Sequence, residues 1–155
     1  MLLSTAAGCD DGPDLTGPLP CFTPTELDTL VEVVPCRHSH EHDLRHVRIF
    51  ADPEAAAIYR RCVLRGEPCD EPFPPGALFV KREYDRAGCH EDEFVSLTAT
   101  RKLAPGALPE GYDWRWQRLT PEMRVTDDGA PLVCLRCHVD HCSPPDGYEL
   151  RCTPD

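Results

Sequence analysis

Apolar residues recur at helical spacing behind a Thr23-Pro24-Thr25-Glu26 capping box, at Leu27, Leu30, Val31 and Val34. A Thr N-cap, Pro at the first helical position and Glu reaching back to the cap predict an amphipathic helix from there to Pro35. Leu44 to Ala51 is β-branched and alternating, which predicts a strand. Asp52-Pro53-Glu54 then caps and opens a second helix running to about Arg61. Prolines and glycines crowd residues 65–76, which read as loop. Beyond Gly76 the alternation predicts strands over 77–84, 93–103 and 112–119, then a last helix around Cys134 to His141 and a short strand from Tyr148 to Cys152. There is no internal repeat. The predicted class is α+β, mostly antiparallel β-sheet with a few short helices, in a single domain over residues 23–155.

Charge narrows the partners. Against 27 Asp+Glu the chain of 155 residues sets 16 Lys+Arg, a net charge of −11, so a phosphate backbone is repelled and nucleic acid is excluded as a partner. Only Lys81 and Lys102 are lysines; the other basic residues are arginine. No apolar run reaches the length of a bilayer span. Ten cysteines argue for an oxidising compartment. The segment Ser4-Thr-Ala-Ala-Gly-Cys9 resembles the lipobox of bacterial lipoproteins, so residues 1–8 are expected to be a signal remnant, with lipid on Cys9 as the sole membrane contact. The basic and long apolar parts of such a signal are missing, which points to a start assigned too late; otherwise Cys9 joins the disulfide pool. Residues 9–22 are too polar and proline-rich to order themselves and read as a tether. The implied location is the bacterial periplasm or cell envelope.

The sharpest chemistry is Cys134-Leu135-Arg136-Cys137-His138, a C-x-x-C-H. Thiols three apart share one side of a helical turn, where they can add to the two vinyl groups of haem, and the adjacent imidazole can bind its iron. A disulfide, a redox dithiol or a zinc site competes. Zinc gains from His141 and Cys142 just beyond, which with Cys134, Cys137 and His138 exceed the four ligands it needs. A second cluster, His38, His40 and His42 with His46, reads first as a solvated loop. On a strand, its first three rings would share a face, as a metal site needs; one of the cluster could instead reach the iron as sixth ligand and make an electron carrier. Met123, the only methionine of the domain, shows no sign of that role.

The order of motifs resembles the cytochrome P-460 family, which includes the beta-type cytochromes c prime. Its parts are Val47-Arg-Ile-Phe-Ala51 into Asp52-Pro53-Glu54, Phe73-Pro-Pro-Gly76 through Val80-Lys81, Gly111-Tyr-Asp-Trp114, the C-x-x-C-H, and Asp146-Gly-Tyr148. The resemblance implies a small, mostly β protein with haem c attached near the C-terminus through Cys134 and Cys137. It implies iron held by His138 with one face open to small nitrogen ligands. Some members oxidise hydroxylamine and the beta-type members bind nitric oxide, so a redox acceptor protein and a homodimer partner are also implied. Lys81 stands at the place of the lysine that cross-links to haem in the P-460 enzymes and is the candidate catalytic residue. The family's acidic residue after that lysine is displaced here, the run being Lys81-Arg82-Glu83, which puts catalysis in question. Trp114 and Trp116 are expected in the core.

Setting aside Cys9 for lipid and Cys134 and Cys137 for haem leaves seven cysteines, hence three bridges and one free thiol, or four bridges if Cys9 is not lipidated. The local pairs expected first are Cys62 with Cys69 and Cys142 with Cys152.

Overall fold

The computed structural model describes residues 17–85, 88–90 and 93–154. Helix α1 (Pro24–Thr29) carries the expected capping box: Thr23 Oγ1 accepts from the Glu26 amide at 3.2 Å and Glu26 Oε2 accepts from the Thr23 amide at 2.7 Å. The helix ends there and not at Pro35. Val31-Glu32-Val33-Val34 is a β-branched run that loses rotamer freedom in a helix and packs well on a pleated surface, so strand β1 (Val31–Ser39) follows at once. Pro35 is accommodated because β1 is an edge strand whose pairing with β2 (Arg45–Ala51) shifts register between Val34 and Arg37.

Asp52 joins two elements. Its Oδ1 accepts from the amides of Glu54 and Ala55 and opens α2 (Pro53–Tyr59), which a wider turn extends over Arg60–Leu64; its Oδ2 accepts from the Leu78 amide at 2.7 Å and pins the helix start to β3 (Leu78–Tyr84). Strands β4 (Phe94–Lys102) and β5 (Trp114–Leu119) lie where alternation places them. A further strand, β6 (Val125–Gly129), was not foreseen, because Val-Thr-Asp-Asp-Gly carries one apolar residue. Polar bonds hold it: Asp128 grips Arg115 through two bonds of 2.7 and 2.6 Å, and Thr126 Oγ1 donates to the Arg118 carbonyl. Each strand pairs antiparallel with its chain neighbour, giving a six-stranded sheet in the order β1-β2-β3-β4-β5-β6. Helix α3 (Leu132–His141) and a hairpin of β7 (Gly147–Tyr148) with β8 (Arg151–Cys152) complete an α+β chain.

Alternation divides the core. One sheet face carries Phe79, Trp114 and Trp116, which pack with Tyr59, Phe73, Leu135 and Leu150 from α2, the loop, α3 and the hairpin turn. The other carries Leu78, Val80, Leu97, Ala99 and Leu119 beneath Phe22, Leu27 and Leu30. The end of the segment expected as tether is laid on this second face: buried Gln117 donates to the Leu19 carbonyl at 3.0 Å and accepts from the Cys21 amide at 2.6 Å. No helix among the described residues is long and apolar enough to cross a membrane.

Three disulfides are formed among the described residues. Cys62–Cys69 and Cys142–Cys152 are the expected local pairs, and Cys36–Cys89 ties the edge strand to the β3–β4 loop across 53 residues. Cys21, Cys134 and Cys137 are free thiols. Cys9 lies outside the described residues.

Candidate functional site

Strand register sets two rows of side chains across the first face. Ile49, Lys81, Thr98 and Arg118 are successive cross-strand partners from β2 to β5, and Ala51, Phe79, Thr100 and Trp116 form the next row. Opposite them, α3 presents Cys134, Cys137 and His138, residues i, i+3 and i+4 on one helical face. Two adjoining cavities lie between sheet and helix, and His42, Lys81, Thr98, Trp116 and His138 line both. Cys134 and Cys137 line one of them.

The hairpin turn fixes the imidazole. Glu149 and Leu150 have φ of 44° and 64°, the left-handed pair that closes a two-residue turn between β7 and β8. A Leu there is strained, by about 1–3 kcal/mol, and its carbonyl oxygen receives a 2.7 Å bond from His138 Nδ1. A carbonyl only accepts, so Nδ1 carries the proton and Nε2 keeps its lone pair. Gly147 allows the turn to close: a Cβ there would collide with the carbonyls of Arg151 and Cys142. The ring of His138 also meets Trp116 edge-on, with centroids 4.7 Å apart.

Burial governs the charges. It pushes His138 down to about 3, with the Arg151 cation adding to the effect, so the imidazole is neutral at ordinary pH. It also raises the Cys134 thiol, against the pull of Lys81. Lys81 Nζ lies 3.0 Å from Glu83 Oε1; burial lowers the amine while Glu83 opposes that shift. Burial alone would raise Glu83, but the Lys81 ammonium and the Ser96 hydroxyl hold its carboxylate well below the usual range. Arg45 and Thr98 complete its shell.

The structure thus brings Lys81, Cys134, Cys137 and His138 around one space. It splits the histidine cluster: the ring of His38 meets those of His40 and His46 edge-on, with centroids 5.0 and 5.4 Å away, whereas His42, held by Ser39 Oγ at 2.7 Å, turns into the cavities. The five zinc candidates do not assemble, since His141 is exposed. Instead His138, Cys142 and Cys152 place ligand atoms within 4.8 Å of one another, a His/Cys group able to hold a metal, with its two sulfurs joined as a disulfide here. Met123 packs on the opposite sheet face, away from the cavities that His138 lines. Trp114 and Trp116 are buried in the core. Sequence reasoning missed Glu83, Arg151 and the special position of His42. Glu83 had a signal, since residues two apart on a strand share a face. Arg151 had none, because only the hairpin brings it there. No protein-family model matches the chain, and no curated protein matches it.

Proposed function

We propose that the chain is a c-type haem protein of the bacterial envelope, resembling cytochrome P-460, that binds or oxidises small nitrogen species such as hydroxylamine or nitric oxide. The observation that carries this reading is the partition of the described cysteines: six are bridged, Cys21 is a thiol on the other sheet face, and Cys134 and Cys137 are thiols on the wall of the cavity that His138 also lines. Zinc on His138, Cys142 and Cys152 would compete with the bridge between the two cysteines.

The residues fit the group. Cys134 and Cys137 would hold the ring as thioethers and His138 Nε2 the iron, its basicity raised by the Nδ1 bond to Leu150. When bound, haem would supply an iron with an open face that takes up a small nitrogen ligand and passes its electrons to an acceptor protein. The chain would contribute the Lys81–Glu83 pair, which can hold or release a proton inside the cavity, and the apolar wall of Ile49, Phe79 and Trp116, which excludes water. A second reading, an electron carrier without turnover, is favoured by one observation: His42 lines both cavities and is neutral at ordinary pH.

The deciding experiment is co-expression with haem-maturation machinery in an exporting host, followed by intact mass and a visible spectrum. A coloured protein heavier by one porphyrin is expected; a colourless one with the mass of the bare polypeptide ends the proposal. Digestion shows whether the porphyrin peptide also carries the Lys81 segment. Hydroxylamine consumption with an artificial acceptor should fall in Lys81→Arg, and equal rates would acquit that residue. A spin state that changes in His42→Ala selects the electron carrier.

A further inference from the structure

Five buried side-chain polar atoms on the wall of one cavity have no hydrogen-bond partner in the protein: Arg37 Nε, Thr100 Oγ1, Trp116 Nε1, and Nε and Nη2 of Arg151. Only two other such atoms occur among the described residues, on His46 and Tyr84. Thr100, Trp116 and Arg151 are 3%, 2% and 7% exposed, so solvent does not serve them. Buried donors are nearly always paired, and several orphans on one wall mark a missing partner.

The charge on that wall is one-sided. Arg37, Lys81 and Arg151 line the cavity and no Asp or Glu does, in a chain of net charge −11. The guanidinium of Arg151 lies 4.0 Å from the centroid of Trp114 and 5.0 Å from those of Phe79 and Trp116, and it makes no ion pair among the described residues. Ring faces answer part of its charge but leave its in-plane N–H groups free. Three of the four unserved residues can only donate, and the Thr100 hydroxyl can turn to donate. An oxygen-bearing anion answers both the geometry and the charge, since carboxylates and small oxyanions pair with a guanidinium through two parallel bonds.

We propose that this cavity binds an anionic oxygen group on Arg151, with Thr100, Trp116 and Arg37 as supporting donors. The group is either a carboxylate of the porphyrin placed there in the preceding reading or a free oxyanion. Binding of a free oxyanion does not depend on haem.

The test uses the full-length chain made without porphyrin. Nitrite and acetate are titrated separately, read by tryptophan fluorescence, in the wild type, Arg151→Met and Thr100→Val. Saturable binding is expected, weakened at least tenfold in Arg151→Met and several-fold in the nearly isosteric Thr100→Val, which keeps the test valid if the first variant fails to fold. In the second arm, iron protoporphyrin and its dimethyl ester are compared. A tenfold preference for the free acid that vanishes in Arg151→Met assigns the site to the ring carboxylates; anion binding without that preference assigns it to a free oxyanion. Anion binding in a chain that takes up neither porphyrin upholds the free-oxyanion site, while the haem reading stands or falls on the maturation experiment. No saturable binding by any probe, or affinities equal in wild type and every folded variant, would overturn it.

Discussion

Burial, more than neighbouring charge, governs the ionisation of His42: desolvation and then the Lys81 ammonium bring it down to about 4, against the pull of Glu83 and Glu41. In an unfolded chain the same ring titrates near ~6.5. Between those values the unfolded state binds a proton that the folded state does not. Stability from this group is therefore complete above the window and declines as pH falls through it, by at most about 1.4 kcal/mol per pH unit. Urea unfolding of the full chain at neutral pH and near the lower limit should show that decline, and His42→Gln should lessen its slope, the remainder coming from His138, which burial lowers to about 3. The Lys81–Glu83 pair makes a second expectation. Lys81 is 14% exposed, so Glu83→Gln leaves a buried ammonium without its counter-ion and should cost about 3 kcal/mol. Adding Lys81→Met should recover part of that loss in the same denaturant measurement.

Elements differ in how far their local pattern decides them. The capping box of α1, the Asp52 cap of α2, the alternation of β2 to β5 and the helix bearing the C-x-x-C-H are local, and each lies close to where the sequence places it. β1 was hidden because Leu27, Leu30, Val31 and Val34 also satisfy a helical period, and only pairing with β2 separates the valines from the helix. β6 was hidden because its partners are polar groups of β5. In the site, Lys81 and the C-x-x-C-H were legible as motifs, whereas Arg151 and His42 arrive through a hairpin and a turn that no local pattern aims. Cys36–Cys89 belongs with them, as a pairing set by tertiary structure. Chain entropy ranks the bridges: closing 53 residues is worth about 4 kcal/mol, and closing 7 or 10 about 2–3. Replacing Cys36 and Cys89 together by serine should lower the urea midpoint more than the same change at either local bridge.

At the scale of the whole molecule, the segment before α1 is part of the fold. Phe22 is 8% exposed over the second core, and both amide atoms of Gln117 are committed to Leu19 and Cys21. A chain begun at Thr23 would expose that core and orphan a buried amide, at a cost of about 3–5 kcal/mol. Thermal unfolding of this truncation against the full chain checks the expectation; equal stability would show that Gln117 finds other partners.

The neighbour-to-neighbour order of the strands also has a kinetic consequence. A meander zips hairpin by hairpin, with short closures and little entropy to overcome at each step. All six strands precede α3 and the β7–β8 hairpin in the chain, so the platform can be finished while the opposite wall is still unformed. During that interval the thiols of Cys134 and Cys137 are accessible, and an enzyme attaching the proposed haem would reach them before Arg151 and Leu150 dock.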